Sequence, residues 1–328
     1  MPTNILFCSA GRRAKLLQNF RRSLDNNSRI IATDAQPTAP ALYFADKAYL
    51  APRISDPGYV DFLLDLCRRE QINAITTLID PEIEVLARNR DRFLAAGVLP
   101  LCPGAETARL CFDKFALFEH LSANGIPTVL TYDTLAHFEQ GLAAGEISFP
   151  VFIKPCTGSG SVGIHKVEHM EDLRAYISEG KYDYIIQEFM DCEDCDADVY
   201  IDTVSRRPVA AFCKHKIETR IGGANKTISF KDERLFDFIR QICNVLEFHG
   251  PVDMDFWYRD GRYYLSEVNP RFGGAYLHAY GAGVDFVPLI VNNISGVTNE
   301  ERLGAYSDDV IMMMYDDVVI LDKVNLVR

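Results

Sequence analysis

Acidic and amide side chains recur at alternate positions in residues 250–274, GPVDMDFWYRDGRYYLSEVNPRFGG. Strands over 252–258 and 262–269 are predicted on either side of an Arg-Asp-Gly turn. A two-residue turn would put Asp255 and Glu267 on opposite faces, whereas a three-residue turn would gather four oxygen-bearing side chains on one face. These four are Asp253, Asp255, Glu267 and Asn269. We predict the three-residue turn, because clustered hard oxygen ligands suit Mg²⁺.

The alternative for this hairpin is a polar surface that simply faces solvent. Trp257 and Leu265 fall on the same predicted face, and such large apolar side chains argue against full solvation. Carboxylates that are buried without a cation would be costly. The pattern therefore favours a divalent-cation site.

A glycine-rich loop follows a strand in residues 149–163, FPVFIKPCTGSGSVG. Glycines leave backbone N–H groups free to wrap phosphates, and serines add hydroxyl donors. The interleaved residues are Gly158, Ser159, Gly160, Ser161 and Gly163. Lys154, at the end of the strand, offers a point charge to phosphate oxygens. No Gly-Lys-Ser/Thr sequence follows the glycines, so this is not a Walker A loop, and a hairpin tip is the alternative.

A third motif ends the apolar strand predicted over 184–188. Its residues are Gln187, Glu188, Phe189 and Met190. A strand that ends in a carboxylate and continues as a linker can offer polar groups to the edge of an adenine. An ordinary strand end is the alternative.

The elements that must position these motifs begin with a region of alternating strands and helices. Strands are predicted over 4–8, 29–34 and 74–78, and helices over 12–24, 59–70 and 82–95. This alternation predicts a doubly wound parallel sheet. Its first turn contains only one glycine, Gly11, so the GxGxxG fingerprint of dinucleotide-binding folds is absent. Asp34 is accordingly interpreted as a turn or capping residue.

From about residue 113 the pattern changes to antiparallel strands with few helices. Helices are predicted over 114–124, 170–178 and 233–246, and the tail over 310–321 is predicted to add two strands. We therefore predict an α/β protein in three parts, the last two of α+β type. The parts are a Rossmann-like domain over 1–111, a small lid over 112–187 and an antiparallel domain over 188–328.

Composition narrows the class of protein. The net charge is −12 and no basic stripe occurs, which argues against a nucleic-acid partner. No apolar run approaches about 18 residues and no signal peptide is recognised, so a cytoplasmic protein without membrane contact is predicted. Nine cysteines without framework spacing predict reduced thiols. Cys192 and Cys195 form a single CxxC with no nearby histidine, and an inert loop is predicted there.

Taken in order, these motifs resemble the ATP-grasp superfamily, most closely the carbamoyl-phosphate synthetase large-chain-like group that includes amino acid ligases such as the pyrrolysine-biosynthesis ligase. The resemblance runs from NILFCSAGRR to about residue 291. It includes the helix that starts at Asp113-Lys114, the Lys154 loop, the QEFM hinge and the ExNPR segment. It implies a pre-ATP-grasp domain, a lid and an ATP-grasp domain for the three parts.

The resemblance also implies which residues contact ATP. They are Lys114, Lys154, Gly158, Ser159, Gly160, Ser161, Gly163, Gln187, Glu188, Phe189, Met190 and Asp198. Glu188 would contact the adenine amino group, and the backbone of Met190 would contact the adenine ring. Asp198 would bind the ribose, with Asp196 as the second choice.

For the reacting end of ATP, the resemblance implies that Asp255, Glu267 and Asn269 hold two Mg²⁺ ions, with Mn²⁺ as an alternative. Asp255 departs from the family, where Gln or Glu is frequent at this position. Arg271 would stabilise the transferring phosphoryl group together with Lys154.

The implied activity is an ADP-forming carboxylate–amine ligase that acts through an acyl phosphate. Phosphoryl activation of a small acid of the carbamoyl-phosphate type, and an ATP-binding module without catalysis, are the alternatives. The expected partners are a small carboxylate, a small amine and a second copy in a homodimer. Candidate substrate contacts, each also readable as an ordinary surface charge, are Arg12, Arg13, Asp80, Glu82, Lys214 and Lys216. Asp80 and Glu82 follow the carboxyl end of a strand, where open α/β sheets bind ligands.

Overall fold

The N-terminal region is a five-stranded parallel sheet with helices on both faces. The computed structural model describes residues 2–158, 163–220 and 223–328. The strands are β1 (Ile5–Cys8), β2 (Ile30–Asp34), β3 (Lys47–Leu50), β4 (Ala74–Thr77) and β5 (Leu99–Pro100), in the order β3-β2-β1-β4-β5. The helices are α1 (Ala14–Ser23), α2 (Tyr59–Glu70), α3 (Asp80–Arg88), α4 (Arg90–Ala95) and α5 (Ala105–Phe112). The predicted doubly wound sheet is therefore confirmed.

One predicted helix of this region is two helices in the structure. The helix expected over 82–95 breaks at Asn89, whose backbone leaves helical geometry. The Asn89 side chain donates to the carbonyl oxygen of Val85 at 2.9 Å. Asparagine side chains that bind nearby backbone groups favour such helix ends.

The middle region is a four-stranded antiparallel sheet flanked by three helices. Its strands are β6 (Thr131–Tyr132), β7 (Val151–Pro155), β8 (His165–Val167) and β9 (Tyr184–Glu188), in the order β6-β9-β7-β8. Its helices are α6 (Lys114–Ala123), α7 (Leu135–Ala144) and α8 (Met170–Ser178). Asp113 caps α6, because its carboxylate accepts from the backbone N–H groups of Phe115 and Ala116. This cap fixes Lys114 at the first turn of the helix.

The C-terminal region is a six-stranded antiparallel sheet. Its strands are β10 (Glu193–Ile201), β11 (Pro208–Arg220), β12 (Gly223–Phe230), β13 (Gly250–Arg259), β14 (Arg262–Asn269) and β15 (Ile311–Met313), in the order β14-β13-β10-β11-β12-β15. Its helices are α9 (Glu233–Val245), α10 (Tyr276–Gly281) and α11 (Val287–Ile294). The prediction of two strands in the tail is wrong, because only β15 forms there within the described residues. Val318 and Ile320 lie exposed and pair with no strand.

A shared core joins the parallel sheet to the C-terminal sheet. A chain of aromatic rings crosses between them: Phe7 contacts Phe20 at 4.8 Å between centroids, Phe20 contacts Phe272 at 5.5 Å, and Phe272 contacts Tyr276 at 4.9 Å. All four rings are buried. The segment that follows β14 is therefore held directly against α1. No helix in the described part of the chain is long and apolar enough to cross a membrane.

Candidate active site

The hairpin of β13 and β14 has a two-residue turn, so the predicted three-residue turn is wrong. Arg259 pairs with Arg262 across Asp260 and Gly261, which both have positive φ angles of 51° and 81°. This is the backbone geometry that two-residue hairpin turns require. On its own, such a turn would send Glu267 to the face opposite Asp255.

A β-bulge reverses that outcome. Phe256 pairs with Leu265, but the next pair is Asp255 with Glu267, so Ser266 is an extra residue in β14. Asp253 then pairs with Asn269. The four oxygen-bearing side chains share one face, as predicted, although the reason is different. Leu265 moves to the opposite face, where it is buried with Phe256.

The same face continues onto β10 and β11. Asp198 lies opposite Asp253, Asp196 opposite Asp255, and Asp194 opposite Trp257. On the far side of β10, Lys214 lies opposite Asp196. Three aspartates of β10, together with Lys214 and Lys216 of β11, thus extend the acidic hairpin into one polar face.

Lys214 is the centre of a buried ion cluster. Its side chain has no solvent exposure, and its ammonium contacts the carboxylates of Asp196 and Asp198, the latter at 2.6 Å. Burial alone would lower the pKa of Lys214, but the neighbouring aspartates outweigh burial and raise it. Lys214 is therefore a charged residue held within the sheet, and the contact with substrate predicted for it stays a prediction. Lys216 is 13% exposed and bridges Asp194 at 2.8 Å and Asp255 at 2.5 Å.

The ribose contact predicted for Asp198 does not fit the structure. Asp198 is 1% exposed, and a Cβ atom on Gly273 would lie 2.6 Å from its Oδ1. The loop after β14 therefore covers this carboxylate, and Asp196 is buried in the same cluster. Asp194, whose side chain is 31% exposed, is the acid of β10 that reaches the open edge. Sequence reasoning missed it, although the alternation of Asp194, Asp196 and Asp198 marked all three as facing one way.

Lys154 enters the site from the middle sheet. It lies on β7 and is buried, and burial lowers its pKa while Glu267 acts in the opposite direction. Lys114 approaches from α6 and donates to the carbonyl oxygen of Gly158 at 2.6 Å. The structure thus brings both predicted phosphate ligands to the start of the glycine-rich loop.

The glycine-rich loop is described at its two ends. Gly158 and Gly163 have φ angles of 99° and 74°, and a Cβ atom on Gly163 would lie 2.8 Å from the Tyr182 ring. Both ends thus use the conformational freedom of glycine. The predicted phosphate contacts Ser159, Gly160 and Ser161 lie outside the described residues.

The hinge residues are divided between two environments. The buried Gln187 side chain donates to Thr131 Oγ1 at 2.9 Å, so it serves the middle sheet. Phe189 stacks on Phe152 with centroids 5.5 Å apart, and Met190 is buried. Glu188 is partly exposed and accepts from Arg259 Nη1 at 2.5 Å.

Arg271 is held by the N-terminal region. Its Nε and Nη2 donate to the two carboxylate oxygens of Asp80 at 2.5 and 3.1 Å. Arg13 donates from Nη2 to the carbonyl oxygens of Phe272 at 3.1 Å and Gly273 at 2.5 Å. Burial, together with repulsion from Arg271, lowers the pKa of Arg13 to about 10. Two guanidinium groups therefore meet beside the acidic hairpin.

The other two candidates from this region have different surroundings. Arg12 is exposed in the turn before α1, and its substrate contact stays a prediction. Glu82 has no solvent exposure and accepts from Tyr59 and, at 2.6 Å, from Thr77. Burial raises the pKa of Glu82, which suits a structural carboxyl. These contacts give no support to the substrate role predicted for Glu82, which stays a prediction.

A small crevice of about 20 Å³ opens where these groups meet. Its polar lining includes Asp80, Glu267, Asn269 and Gly158, and its apolar lining includes Phe112. It therefore joins the phosphate loop, the acidic hairpin and the carboxyl edge of the parallel sheet.

The charges of the acidic hairpin fit a divalent cation. Burial and the adjacent Asp255 raise the pKa of Asp253 well above its usual range, which a nearby cation would reverse. Across the described ranges, no three Asp, Glu, His or Cys side chains form a metal site by themselves. The oxygen atoms of Asp255, Glu267 and Asn269 suit Mg²⁺, because this ion takes few carboxylates and completes its coordination with phosphate oxygens and water.

Comparison with known families decides the class of this fold. Residues 111–275 match the family described as ATP-grasp domain, and residues 5–101 match the one described as PylC-like, N-terminal domain. The chain belongs to the ATP-grasp family. The resemblance inferred from the motifs is thereby confirmed.

Several ATP-grasp relatives are ligases or synthases by name. The chain is 24% identical over 258 residues to the carbamoyl phosphate synthase arginine-specific large chain of Geobacillus stearothermophilus, covering 76% of this chain and 23% of that protein. It is 28% identical over 165 residues to the L-arginine-specific L-amino acid ligase of Bacillus subtilis, covering 48% of this chain and 38% of that protein. The chain thus spans well under two thirds of either relative.

Solved ATP-grasp structures share the fold over nearly the whole chain. N5-carboxyaminoimidazole synthetase from Staphylococcus aureus, solved with ADP, has a TM-score of 0.74 at 14% identity, covering 92% of this chain and 80% of that one. The biotin carboxylase domain dimer of Hydrogenobacter thermophilus 2-oxoglutarate carboxylase, solved with MgADP and bicarbonate, also has a TM-score of 0.74, at 18% identity, covering 95% and 73%. The predicted ATP-grasp fold is therefore confirmed.

Proposed function

We propose that this chain is an ATP- and Mg²⁺-dependent carboxylate–amine ligase that acts through an acyl phosphate and releases ADP and phosphate. The observation that carries the proposal is the register of β13 and β14, which puts Asp255 opposite Glu267 and Asp253 opposite Asn269. Lys154 and Lys114 approach this face from the middle sheet and α6. The names of the ligase relatives support the reaction class.

ATP lies along β13 in this proposal. Asp255, Trp257 and Arg259 alternate on one face, so Arg259 is about 13 Å along the strand from Asp255. The β- and γ-phosphates bind at the Asp255 end, between Lys154 and Lys114. The adenine lies at the other end beside Glu188 and the Met190 backbone, with Trp257 between the two ends.

Asp194 is the proposed ribose ligand. It lies opposite Trp257, midway between the proposed phosphate and base ends, and its carboxylate is partly exposed. Lys216 holds that carboxylate from the other side. An ionised carboxylate accepts hydrogen bonds, which suits two ribose hydroxyl donors.

Asp255, Glu267 and Asn269 would hold Mg²⁺. When bound, the ion would neutralise phosphate charge as the γ-phosphoryl group moves. Lys154 and Arg271 add fixed positive charge where negative charge develops. In this proposal Lys154 and Arg271 also align the substrate carboxylate for attack and keep the phosphates in place.

In this proposal the substrates bind next to the crevice, beside Arg13 and Arg271. A carboxylate oxygen attacks the γ-phosphorus and ADP leaves, which gives an acyl phosphate. The amine then attacks the acyl carbon, and phosphate departs with the oxygen that came from the carboxylate. Residues 112–187 act as the lid that keeps water from the acyl phosphate.

Phosphoryl activation of a small acid, without an amine, is the second candidate. The carbamoyl phosphate synthase relative, which matches over 76% of this chain, favours it. The two candidates differ in one observable: ligation requires an amine for sustained release of ADP, whereas activation alone does not.

The testing experiment is a screen for ADP release over pairs of amino acids and small carboxylic acids. For the pair that reacts, the carboxylate is labelled with heavy oxygen, and one labelled oxygen is expected in the released phosphate. Glu267→Gln should abolish turnover while thermal unfolding stays unchanged, because the side chain keeps its shape and loses its charge. Label appearing in AMP would overturn the acyl phosphate route.

A further inference from the structure

A guanidinium group links the hinge to the tip of the β13–β14 hairpin. Arg259 is the last residue of β13 and Glu188 the last residue of β9, so this ion pair joins the six-stranded sheet to the four-stranded sheet. The Arg259 Nη1 to Glu188 Oε1 distance is 2.5 Å. The guanidinium also lies over the Tyr264 ring, 5.2 Å from its centroid. Arg259 is thus oriented by two contacts, one polar and one aromatic.

The pair fixes the hydrogen-bonding character of the hinge. An ionised carboxylate accepts hydrogen bonds and donates none, whereas a guanidinium only donates. The hydrogen bond to Glu188 raises the pKa of Arg259, so the arginine stays charged. While the two groups are paired, the carboxylate remains an acceptor, and the donor Nη1 is occupied.

Purine bases differ at the edge that would meet this pair. Both purines have the N7 acceptor, but adenine presents an amino donor at N6, whereas guanine presents an acceptor at O6, so that arginine can bind O6 and N7 of guanine in bidentate fashion. A paired Glu188 can accept from adenine N6. An Arg259 released from Glu188 would instead suit guanine.

We infer that Arg259 is a positioning residue that sets the base preference of the nucleotide site, because it holds Glu188 as the acceptor for adenine and keeps its own guanidinium oriented toward that carboxylate instead of toward a guanine base. This inference rests on the proposed function, since it requires the nucleotide to bind with its base at the hinge. An ion pair as exposed as this one contributes little to stability. A purely structural role would therefore leave the ratio of ATP to GTP affinity unchanged.

The chain offers a matched control. Arg262 pairs with Arg259 across the turn and lies over the same Tyr264 ring, 5.7 Å from its centroid, and its partners do not include Glu188. Arg262→Ala removes an equal charge from the same ring. Arg259→Lys keeps a cation that can still pair with Glu188.

The experiment is calorimetric titration of the full chain with ATP and with GTP, both with Mg²⁺ and without a second substrate. The wild type is expected to prefer ATP by at least about tenfold. Glu188→Ala should tighten GTP binding and weaken ATP binding, and the gain for GTP should vanish in the Glu188→Ala/Arg259→Ala double variant. Arg259→Ala should lower the ATP preference severalfold, while Arg262→Ala and Arg259→Lys keep it.

The outcomes separate this inference from the proposed function. An ATP preference that stays the same in Arg259→Ala and Glu188→Ala would overturn the inference and leave the ligase proposal standing. A wild-type chain that binds neither nucleotide would overturn both.

Discussion

Two buried lysines of this site have opposite electrostatic situations. Lys214 contacts two aspartates, and its pKa is raised. Lys154 lies among weaker compensating charges, and burial lowers its pKa. A buried cation without full compensation favours the arrival of an anion. This contrast supports the proposal that Lys154 binds the phosphates, whereas Lys214 is held in the sheet.

Lys154→Ala is expected to weaken ATP binding by at least about tenfold, the equivalent of roughly 1.5–3 kcal/mol for one charge-assisted contact. Because burial lowers the pKa of Lys154, ATP affinity of the wild type should also fall as the pH rises toward the ordinary lysine range. Calorimetry across pH measures both effects. Lys323→Ala, in the exposed tail, is the control. Unchanged affinity in Lys154→Ala would remove this lysine from the site.

Lys214→Met should destabilise the protein by about 3–5 kcal/mol, because it leaves Asp196 and Asp198 buried without a countercharge. Burial already raises the pKa of Asp196 to about 6 in the native protein. Carboxylates with a raised folded-state pKa cost stability above their unfolded pKa and regain it as they protonate. The loss measured by urea unfolding should therefore shrink as the pH falls from 8 toward 5.

Lys226→Met is the matched control for that measurement. Lys226 forms an ion pair with Glu218 in which both side chains are more than 40% exposed. Such a pair contributes about 0–1 kcal/mol. Equal losses in the two variants would contradict the view that the Lys214 cluster is buried and structural.

At the scale of elements, the sequence predicted the parallel sheet and the acidic hairpin. It did not predict the β-bulge that puts Asp255 and Glu267 on the same face of the hairpin. The alternation of Asp253 and Asp255 in β13 is visible as a period of two. The bulge at Ser266 could not be predicted from this alternation, because the residue types around Ser266 do not show that one of them is left unpaired. The burial of Lys214 was hidden for a related reason: a lysine in an alternating strand resembles a solvent-facing residue until its partners on β10 are known.

Trp257 offers a direct test of the proposed orientation of ATP along β13. It is the only tryptophan of the chain, so all tryptophan emission reports on the C-terminal half of that strand. Stacking of the adenine or ribose near its ring should change the emission as ATP–Mg²⁺ is added, with the same affinity that calorimetry gives. The control is Lys154→Ala, in which the midpoint should shift to higher ATP. Saturable binding by calorimetry with constant emission would place ATP elsewhere.

At the scale of the whole molecule, the N-terminal region completes the site of the C-terminal one. Asp80 lies at the start of α3, just beyond the carboxyl end of β4, and holds Arg271 through two hydrogen bonds. Arg13 holds the next two carbonyl groups of the same loop. The sequence placed Asp80 at a ligand-binding edge from topology alone, because strand ends of open α/β sheets meet there. Its arginine partner, 191 residues away, could not be read from local spacing.

This cross-region contact leads to a prediction about turnover. Asp80→Asn keeps the shape of the side chain but removes the charge that orients Arg271, so the arginine should lose its fixed position near the transferring phosphoryl group. With the substrate pair found by the ADP-release screen, kcat should fall by about 10- to 100-fold, on the scale of a misplaced charge-stabilising group. ATP affinity should stay within about twofold, because the contact between Arg271 and the phosphoryl group strengthens only in the transition state and adds little to ground-state binding. Arg22→Ala, at an exposed position of α1, should leave both values unchanged. A parallel loss of ATP affinity in Asp80→Asn would instead mean that Asp80 supports the nucleotide site as a whole, and unchanged kcat would show that Arg271 needs no such support.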